Sequence, residues 1–324
     1  MPQRSYLFHE IRLAIAGDPL LLYALHRRLG RFEPCNPNDP PDIHFEFLPC
    51  SEAADSSVRR PTGRGRAILD PGVGEVLYFE SADQLYLDIP GGARAVADPA
   101  SGRVRVAHGV LDNLELWRLS HFFFTVALAE LLKRREYFMV HAAGLARDGR
   151  GLLITGDSGS GKTTLALALL RAGFEFLGDD TIFIDNNTQA RAFPDEIDIT
   201  APTARFFPEL AWLAQEPLPG EPPKRSFCAT RVYGAAPCWR CAPAVLLFPS
   251  PAREAESVLS PLPKDQALVR LACNVLRTEL KSSQAHLDAL AALVARCRCY
   301  RLRTGRDFDR LPVLLRAVLE EESL

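Results

Sequence analysis

The sequence predicts an α/β fold built from two domains, a smaller β-rich N-terminal domain over residues 1–135 and an α/β domain over residues 136–324. Its 324 residues exceed the length of most single domains, so two domains are expected. Short β patterns separated by turn-rich segments fill the first third. After Tyr137, strand and helix patterns alternate, as is typical of an α/β domain.

Composition and charge exclude several classes of protein. Hydrophobic residues make up 47% and charged residues 24% of the chain, an ordinary globular balance. The net charge of −2 gives no field that would attract nucleic acid, so we expect no nucleic-acid partner. The most apolar stretch, residues 121–132, is shorter than the roughly 20 residues that a membrane-spanning helix needs. We see no secretory signal pattern and expect a cytoplasmic protein with no membrane partner; a homo-oligomer is compatible with the sequence.

The N-terminal domain contains an early helix over residues 20–29. Asp18 is placed to cap it, Pro19 suits the first helical position and Gly30 suits the end. Strands are expected at residues 43–48, 75–79 and 84–89, and loops at residues 34–42 and 51–66.

A longer helix begins at Asp112, which has capping-box spacing to Glu115, and continues through residue 132 to join the two domains. Its Phe122, Phe123 and Phe124 could stack on a cofactor, but aromatic residues on an amphipathic helix are usually core. We therefore predict a packing role for them.

The α/β domain follows an order of strand, turn, strand, loop, helix and strand. Strands are expected at residues 137–140, 152–155, 174–177 and 244–248, with an edge strand at 300–302. Helices are expected at residues 162–172, over most of 264–297 and from Asp309, with a proline-rich loop at 217–223.

A glycine-rich loop lies between the second of these strands and the following helix. It fits the Walker A pattern G-x-x-x-x-G-K-[ST], and the predicted phosphate-binding residues are Gly156, Asp157, Ser158, Gly159, Ser160, Gly161, Lys162, Thr163 and Thr164. Glycines allow backbone N–H groups and the helix N-terminus to converge on phosphate oxygens. Lys162 would lie between the β- and γ-phosphates, and the Thr163 hydroxyl would face Mg²⁺. The alternative is a structural glycine-rich turn.

Two adjacent carboxylates, Asp179 and Asp180, follow the next predicted strand. Sites of this type need a carboxylate at a neighbouring strand end to hold Mg²⁺. One aspartate could remain ionised for the metal while the other accepts the proton of a hydroxyl nucleophile. A turn or capping role for Asp180 beside Thr181 is the structural alternative. His141 ends the strand before the loop and would lie near the same face, although a lone histidine is more often structural.

Eight cysteines include two closely spaced pairs. Cys238 with Cys241 and Cys297 with Cys299 could supply four thiolates to zinc if both pairs met in space. No histidine or third pair joins them, so we expect reduced, partly buried thiols instead.

The segment LLITGDSGSGKTTLALALLRAGFEFLGDD, residues 152–180, resembles the catalytic domain of bacterial HPr kinase/phosphorylase. His141 precedes Lys162 by 21 positions and Asp179 follows it by 17, as in that family. The resemblance implies a P-loop catalytic domain of the HPr kinase/PEP carboxykinase-like type. It also implies that Asp179 is the base, that Asp180 and Thr163 serve Mg²⁺, and that His141 assists near the transferred phosphate.

Two departures argue against phosphorylase activity and against HPr as the substrate. Thr164 stands where true HPr kinases carry an acidic residue, and their glycine-rich signature downstream of the acidic pair is missing. The chain is more similar to divergent HPr-kinase-like proteins, some of which modify peptides made in biosynthetic gene clusters. By that resemblance Lys224, Arg225 and Arg231 would contact phosphate or substrate; solvated loop charges are the alternative.

The leading hypothesis is a kinase that uses ATP and Mg²⁺ to phosphorylate a serine or other hydroxyl in a small protein or peptide. The alternative is a nucleotide-binding sensor or assembly protein with weak or no transferase activity. A small-molecule kinase is a third class. No guanine-reading N-K-x-D motif and no transporter-ATPase signature is present, so GTPases and transport motors are not expected.

Overall fold

The chain forms two compact units. One comprises Met1–Arg135 and Glu216–Pro223, the other Glu136–Gln215 and Lys224–Leu324. The computed structural model describes residues 1–36, 38–50, 57–61, 66–70, 74–81, 84–218, 224–252, 254–273 and 283–321. Most of the predicted loops at residues 51–66 and 217–223, and part of the helix predicted at 264–297, lie outside the described residues.

The described part of the first unit contains a nine-stranded sheet in the order β3-β1-β2-β4-β9-β8-β7-β6-β5. Its strands are β1 Gln3–Phe8, β2 Ile11–Ala16, β3 Glu33–Pro34, β4 Ile43–Pro49, β5 Arg66–Asp70, β6 Gly74–Ser81, β7 Gln84–Asp88, β8 Arg94–Asp98 and β9 Arg103–His108. Strand β4 is parallel to both β2 and β9, and the other pairings are antiparallel. The three predicted strands are confirmed as β4, β6 and β7.

Helix α1, Pro19–Leu29, begins and ends where the sequence predicts. The Asp18 carboxylate accepts a hydrogen bond from the Leu20 amide at 2.8 Å, and Gly30 follows the last turn. Leu21, Leu25 and Leu29 are fully buried, because their spacing places them on one face of the helix.

A second helical segment consists of α2, Asn113–Trp117, a π-helical stretch, Arg118–Phe123, and α3, Phe124–Lys133. Asp112 caps it by accepting from the Glu115 amide at 2.8 Å, as predicted. A π-helical stretch inserts one extra residue per turn and redirects backbone carbonyls. The buried Arg28 guanidinium donates to the Ser120 carbonyl there.

The aromatic residues of this segment are core residues. Phe123 and Phe124 are fully buried, and the Phe124 ring lies 4.9 Å from that of Phe45 on β4. The predicted packing role is confirmed for these two side chains.

The second unit contains a mixed sheet. Its strands are β10 Phe138–Val140, β11 Ala142–Arg147, β12 Arg150–Thr155, β13 Glu175–Gly178, β14 Ile182–Ile184, β15 Ala190–Arg191, β18 Arg240–Pro251, β19 Val258–Pro261 and β20 Arg298–Thr304, and the separate strands β16 Ile197–Ile199 and β17 Arg225–Phe227 pair with each other. Its helices are α4 Lys162–Arg171, α5 Ala201–Ala204, a 3₁₀ helix Pro208–Leu213, α6 Ala229–Tyr233, α7 Lys264–Cys273, α8 Ser283–Arg296 and α9 Leu311–Glu320. The main sheet order is β10-β14-β15-β18-β12-β11-β13, with β20 between β18 and β19.

Helices cover both faces of this sheet. Leu152 and Ile154 of β12 pack into the cluster that includes Leu165 of α4 and Leu315 of α9. Leu153, which points to the opposite face, packs into the cluster that includes residues of α7 and α8. The chain is therefore a mixed α/β protein whose strand β12 is buried on both sides.

Two sequence predictions were wrong. The segment after residue 140 was expected to turn directly into the next strand, but Ala142–Arg147 forms strand β11, antiparallel to β12. The two strands join through Asp148 and Gly149, whose positive φ angles of 49° and 75° suit a two-residue hairpin turn. Strand β20 was expected at the sheet edge, but it pairs with β18 on one side and β19 on the other.

Among the residues that the structure describes, no helix combines the length and the hydrophobicity that a membrane span requires.

Candidate active site

The sheet topology brings three separate chain segments to one edge. Strand β11 is antiparallel to both β12 and β13, so β12 and β13 run in the same direction and end at the same side. The first residue of β11, Ala142, is paired with Thr155, the last residue of β12. These strand directions therefore bring together His141, the loop after β12 and the carboxylates after β13.

The glycine loop, residues 156–161, connects β12 to α4. Gly156, Gly159 and Gly161 have φ angles of 155°, 80° and 95°, a region that favours glycine over residues with a side chain. Gly161 is the residue before α4, and no side chain in the described part of the chain caps this ten-residue helix. Its first N–H groups therefore point from the helix N-terminus toward the loop, the arrangement that binds anions such as phosphate.

Lys162 and Thr163 occupy the first turn of α4. The Lys162 ammonium donates to the carbonyls of Gly156 and Asp157 at 2.9 and 3.3 Å, so it lies across the glycine loop. The Thr163 hydroxyl donates to Asp179 Oδ2 at 3.1 Å. These contacts place the first turn of α4 next to the end of β13.

The acidic turn, residues 179–181, follows β13 in a strained conformation. The Thr181 amide donates to the Asp179 carbonyl at 2.8 Å, and Asp180 between them has a φ of 62°. A three-residue turn with positive φ at its centre is rare, and such strain concentrates at functional sites. Gly178 directly precedes the turn. A larger residue would not fit there, because a Cβ at that position would lie 2.4 Å from the Phe193 carbonyl oxygen.

Asp180 lies close to nitrogen atoms of two residues, Lys224 and His141. Its Oδ2 lies 3.6 Å from the Lys224 ammonium, and its Oδ1 lies 3.7 Å from His141 Nε2. His141 Nδ1 lies 3.0 Å from the Asp180 carbonyl oxygen, which can only accept, so Nδ1 carries the proton. Neutral His141 therefore presents the lone pair of Nε2 to the site.

The two carboxylates differ in pKa. Burial raises the pKa of Asp179 to about 8, and the negative charge of Asp180 adds to the shift. Burial also disfavours the charged form of Asp180, but its cationic neighbours, His141 when protonated together with Lys224 and Lys162, outweigh this effect and lower its pKa. The pair thus holds one readily ionised carboxylate and one that tends to stay protonated near neutral pH.

The basic groups of the site respond to the same charges. Burial lowers the pKa of Lys162, against the opposing effect of Asp180 and then Asp179. Burial likewise lowers the pKa of His141, so the imidazole tends to be neutral. For Lys224, burial disfavours the charged form, but the negative charges of Asp180, Asp198 and Asp179 together outweigh burial and raise the pKa. Lys224 therefore remains a cation beside the acidic turn.

The structure separates the three basic residues that the resemblance singled out. Lys224 contacts the acidic turn, Arg225 lies on β17 in register with Ile199, and Arg231 lies on the short helix α6 with an exposed side chain. Sequence reasoning missed Thr155, whose hydroxyl donates to the His141 carbonyl at 3.2 Å. A threonine directly after the apolar run Leu152–Ile154 was the available signal.

The oxygen atoms around Thr163 fit a hard divalent cation. Asp179 Oδ1 is buried and has no hydrogen-bond partner among the described residues, while Asp179 Oδ2 accepts a hydrogen bond from the Thr163 hydroxyl. No group of three His, Cys, Asp or Glu side chains in the described ranges is arranged to hold a metal. Mg²⁺ commonly needs only one or two protein carboxylates, because phosphates and waters complete its shell. The donor set is therefore compatible with Mg²⁺ brought in with a phosphate ligand.

The cysteines lie elsewhere. Cys238, Cys241, Cys297 and Cys299 are free thiols buried in the core beneath α7 and α8.

Comparison with solved structures found a weak similarity. No family model matches the chain, and no curated protein matches it. The chain is similar to the structure of the Hpr(Ser) kinase/phosphatase from Coxiella burnetii, at 14% sequence identity and a TM-score of 0.28. The match covers 56% of this chain and 92% of that one.

Proposed function

We propose that this protein is an ATP- and Mg²⁺-dependent kinase that transfers the γ-phosphate to a hydroxyl group, with serine in a small protein or peptide as the acceptor. The observation that supports it is the meeting of the glycine loop with the acidic turn, where Thr163 and Asp179 are 3.1 Å apart. For nucleotide binding alone, the glycine loop would be sufficient. The second carboxylate, Asp180, beside Lys224 and His141, adds what a transfer to a hydroxyl requires.

In the proposed site the loop amides and the N-terminus of α4 would bind the phosphates, and Lys162 would leave the carbonyls of Gly156 and Asp157 for phosphate oxygens. Thr163 and the acidic turn would hold Mg²⁺, which when bound would neutralise phosphate charge. The acceptor oxygen forms a bond to the γ-phosphorus as the bond to the bridging oxygen breaks. The electron pair stays on ADP, and the acceptor proton passes to a carboxylate.

The test is transfer of labelled γ-phosphate from ATP to a library of serine-, threonine- and tyrosine-containing peptides and small proteins. We expect Mg²⁺-dependent phosphoserine together with an equal amount of ADP. Lys162→Met should abolish both products, because it removes the ammonium that lies across the glycine loop and would neutralise the charge of the phosphates. Tight binding of Mg·ATP without phosphorylated acceptor would contradict the kinase and favour a nucleotide sensor.

A further inference from the structure

The two-stranded ribbon formed by β16 and β17 has two different faces. The isoleucines of β16 and the phenylalanine of β17 are buried in the core cluster that also contains residues of β12 and α4. Side chains alternate between the two faces of a strand, so Asp198 and its cross-strand partner Ser226 lie on the opposite face. The ribbon therefore carries a carboxylate and a hydroxyl on the face that does not pack into this core.

The Asp198 carboxylate is oriented by its partner. The Ser226 hydroxyl donates to Asp198 Oδ1 at 2.5 Å. Hydrogen bonds to an ionised acceptor are shorter and stronger than those between neutral groups. Ser226 therefore restricts the direction in which the Asp198 carboxylate points.

Lys224 interacts with both the ribbon and the acidic turn. It directly precedes β17, two residues before Ser226, and residues placed diagonally across an antiparallel pair are within reach of long side chains. Its ammonium lies 3.6 Å from Asp180 Oδ2. Burial disfavours the charged ammonium, but the charge of Asp180, then that of Asp198 and then that of Asp179 outweigh burial and raise the pKa of Lys224. Asp198 is thus the carboxylate outside the acidic turn that attracts this cation.

The contact with Asp180 restrains Lys224 only weakly. Lysine has a flexible four-carbon side chain, and 37% of the Lys224 side chain is exposed. Ion pairs at partly exposed positions hold such side chains loosely, because water competes for the charges. A second carboxylate that is itself held by a hydrogen bond supplies the additional restraint.

We propose that Asp198, oriented by Ser226, is a positioning residue that holds the Lys224 ammonium at the acidic turn during phosphoryl transfer. This inference rests on the proposed kinase function. A cation held there would neutralise charge on the phosphate oxygens while the acceptor oxygen bonds to the γ-phosphorus and the bond to ADP breaks. Asp198 and Ser226 act only through Lys224, and no proton is transferred to either of them.

The first test is a double-mutant cycle on the rate of transfer at saturating Mg·ATP. Asp198→Asn should lower the rate about tenfold and leave the Kd for Mg·ATP within about twofold, because a displaced ammonium affects positioning rather than nucleotide binding. In a Lys224→Met background the same change should lower the rate by less than about twofold, because residues that act through one another are not additive. An equal loss in both backgrounds would show that Asp198 acts independently of Lys224 and would overturn the proposal.

Ser226 offers a conservative pair of variants. Ser226→Ala removes the hydroxyl and should lower the rate about 3- to 10-fold, the usual worth of a hydrogen bond to a charged group. Ser226→Thr keeps a hydroxyl, suits a strand and should retain most of the wild-type rate. A Ser226→Ala protein as active as Ser226→Thr would overturn the role of Ser226. Asp148→Asn is the matched control, because it removes one carboxylate from an exposed hairpin turn of the same unit and should not change the rate.

The second test follows the Lys224 side chain by nuclear magnetic resonance and does not depend on catalysis. The chain has only five lysines, so lysine labelled with ¹³C at Cε reports on five positions, and the signal lost in Lys224→Met belongs to Lys224. Asp198→Asn should shift and sharpen this signal at constant pH, because the side chain gains freedom. Asp148→Asn should leave it unchanged. A Lys224 signal that stays unchanged in Asp198→Asn would contradict the proposal.

The two tests separate this inference from the proposed function. If the wild type phosphorylates no acceptor, the kinase proposal fails, while the Lys224 signal still decides whether Asp198 holds the ammonium. If the wild type is active and Asp198→Asn keeps both its rate and its Lys224 signal, the kinase stands and the inference fails. Thermal unfolding checks that each variant is folded, and the two Ser226 variants carry both tests if Asp198→Asn does not fold.

Discussion

Gly178→Ala should both destabilise the second unit and misplace the acidic turn. An added Cβ would lie 2.4 Å from the Phe193 carbonyl oxygen and 2.8 Å from the Thr181 carbonyl oxygen. The first distance is 1.0 Å closer than the 3.4 Å at which ordinary contact begins. Both obstacles are backbone atoms, so no rotation of a flexible side chain can relieve the clash.

The magnitude follows from this geometry. Overpacking a well-packed site typically costs about 1–3 kcal/mol, and two rigid obstacles place Gly178→Ala at the upper end, at about 3 kcal/mol. The backbone must move by roughly the missing 1 Å, and Asp179 is the next residue. Its 3.1 Å contact with Thr163 would then stretch beyond hydrogen-bonding distance, so the affinity for Mg·ATP should also fall.

Urea unfolding followed by circular dichroism measures the stability, and titration with Mg·ATP measures the site. Gly109→Ala is the control, because no heavy atom lies within 4 Å of an added Cβ there and its φ is not positive. That change should be neutral or slightly stabilising. A Gly178→Ala protein with the unfolding midpoint and nucleotide affinity of the wild type would refute the reasoning.

Three further predictions concern single side chains. Lys224→Met should lower the rate of transfer more than tenfold while ATP affinity changes little, since the Lys224 ammonium contacts the Asp180 carboxylate at 3.6 Å; a rise in the Kd for ATP without a change in rate would contradict this. Phe124→Ala should cost about 3–5 kcal/mol in the first unit, measured by calorimetry, because a fully buried ring is removed; a change below 1 kcal/mol would be inconsistent with its burial. In Asp42, burial is outweighed by hydrogen bonds from Arg12, and the pKa is lowered. Its stabilising effect is therefore present above the ordinary carboxyl pKa near 3.9 and lost as the pH falls through the lowered value, so Asp42→Asn should be about 1 kcal/mol less stable than wild type at pH 7 and equally stable in strong acid.

Local patterns predicted the elements that carry local signals. The Asp18 cap, the spacing of Leu21, Leu25 and Leu29, and the capping box at Asp112 are each complete within a few residues of chain. The helices that these signals predict therefore begin and end within one or two residues of the predicted positions.

Elements that depend on distant partners were harder to predict. Strand β11 has the sequence AAGLAR, with no β-branched or aromatic residue, and it is a strand because β12 and β13 bind both its edges. Strand β20 carries ordinary edge-strand signals, and only the pairing with β19 makes it internal.

The residues of the site were predicted better than their arrangement. Spacing along the chain grouped His141, Lys162 and the two aspartates, and strand direction explains why such segments meet. Which aspartate faces Thr163 depends on the sign of φ at Asp180, which no residue pattern specifies, because aspartate adopts both hands of the backbone.

The β11–β12 hairpin has a consequence for handling the protein. Its six residue pairs run from Ala142 and Thr155 at the site to Arg147 and Arg150 at the turn, a separation of about 17 Å at the usual rise per strand residue. Asp148 and Gly149 close the hairpin with a turn that is complete in itself. An affinity tag or a fluorescent reporter inserted between these two residues is therefore expected to leave the proposed nucleotide site intact.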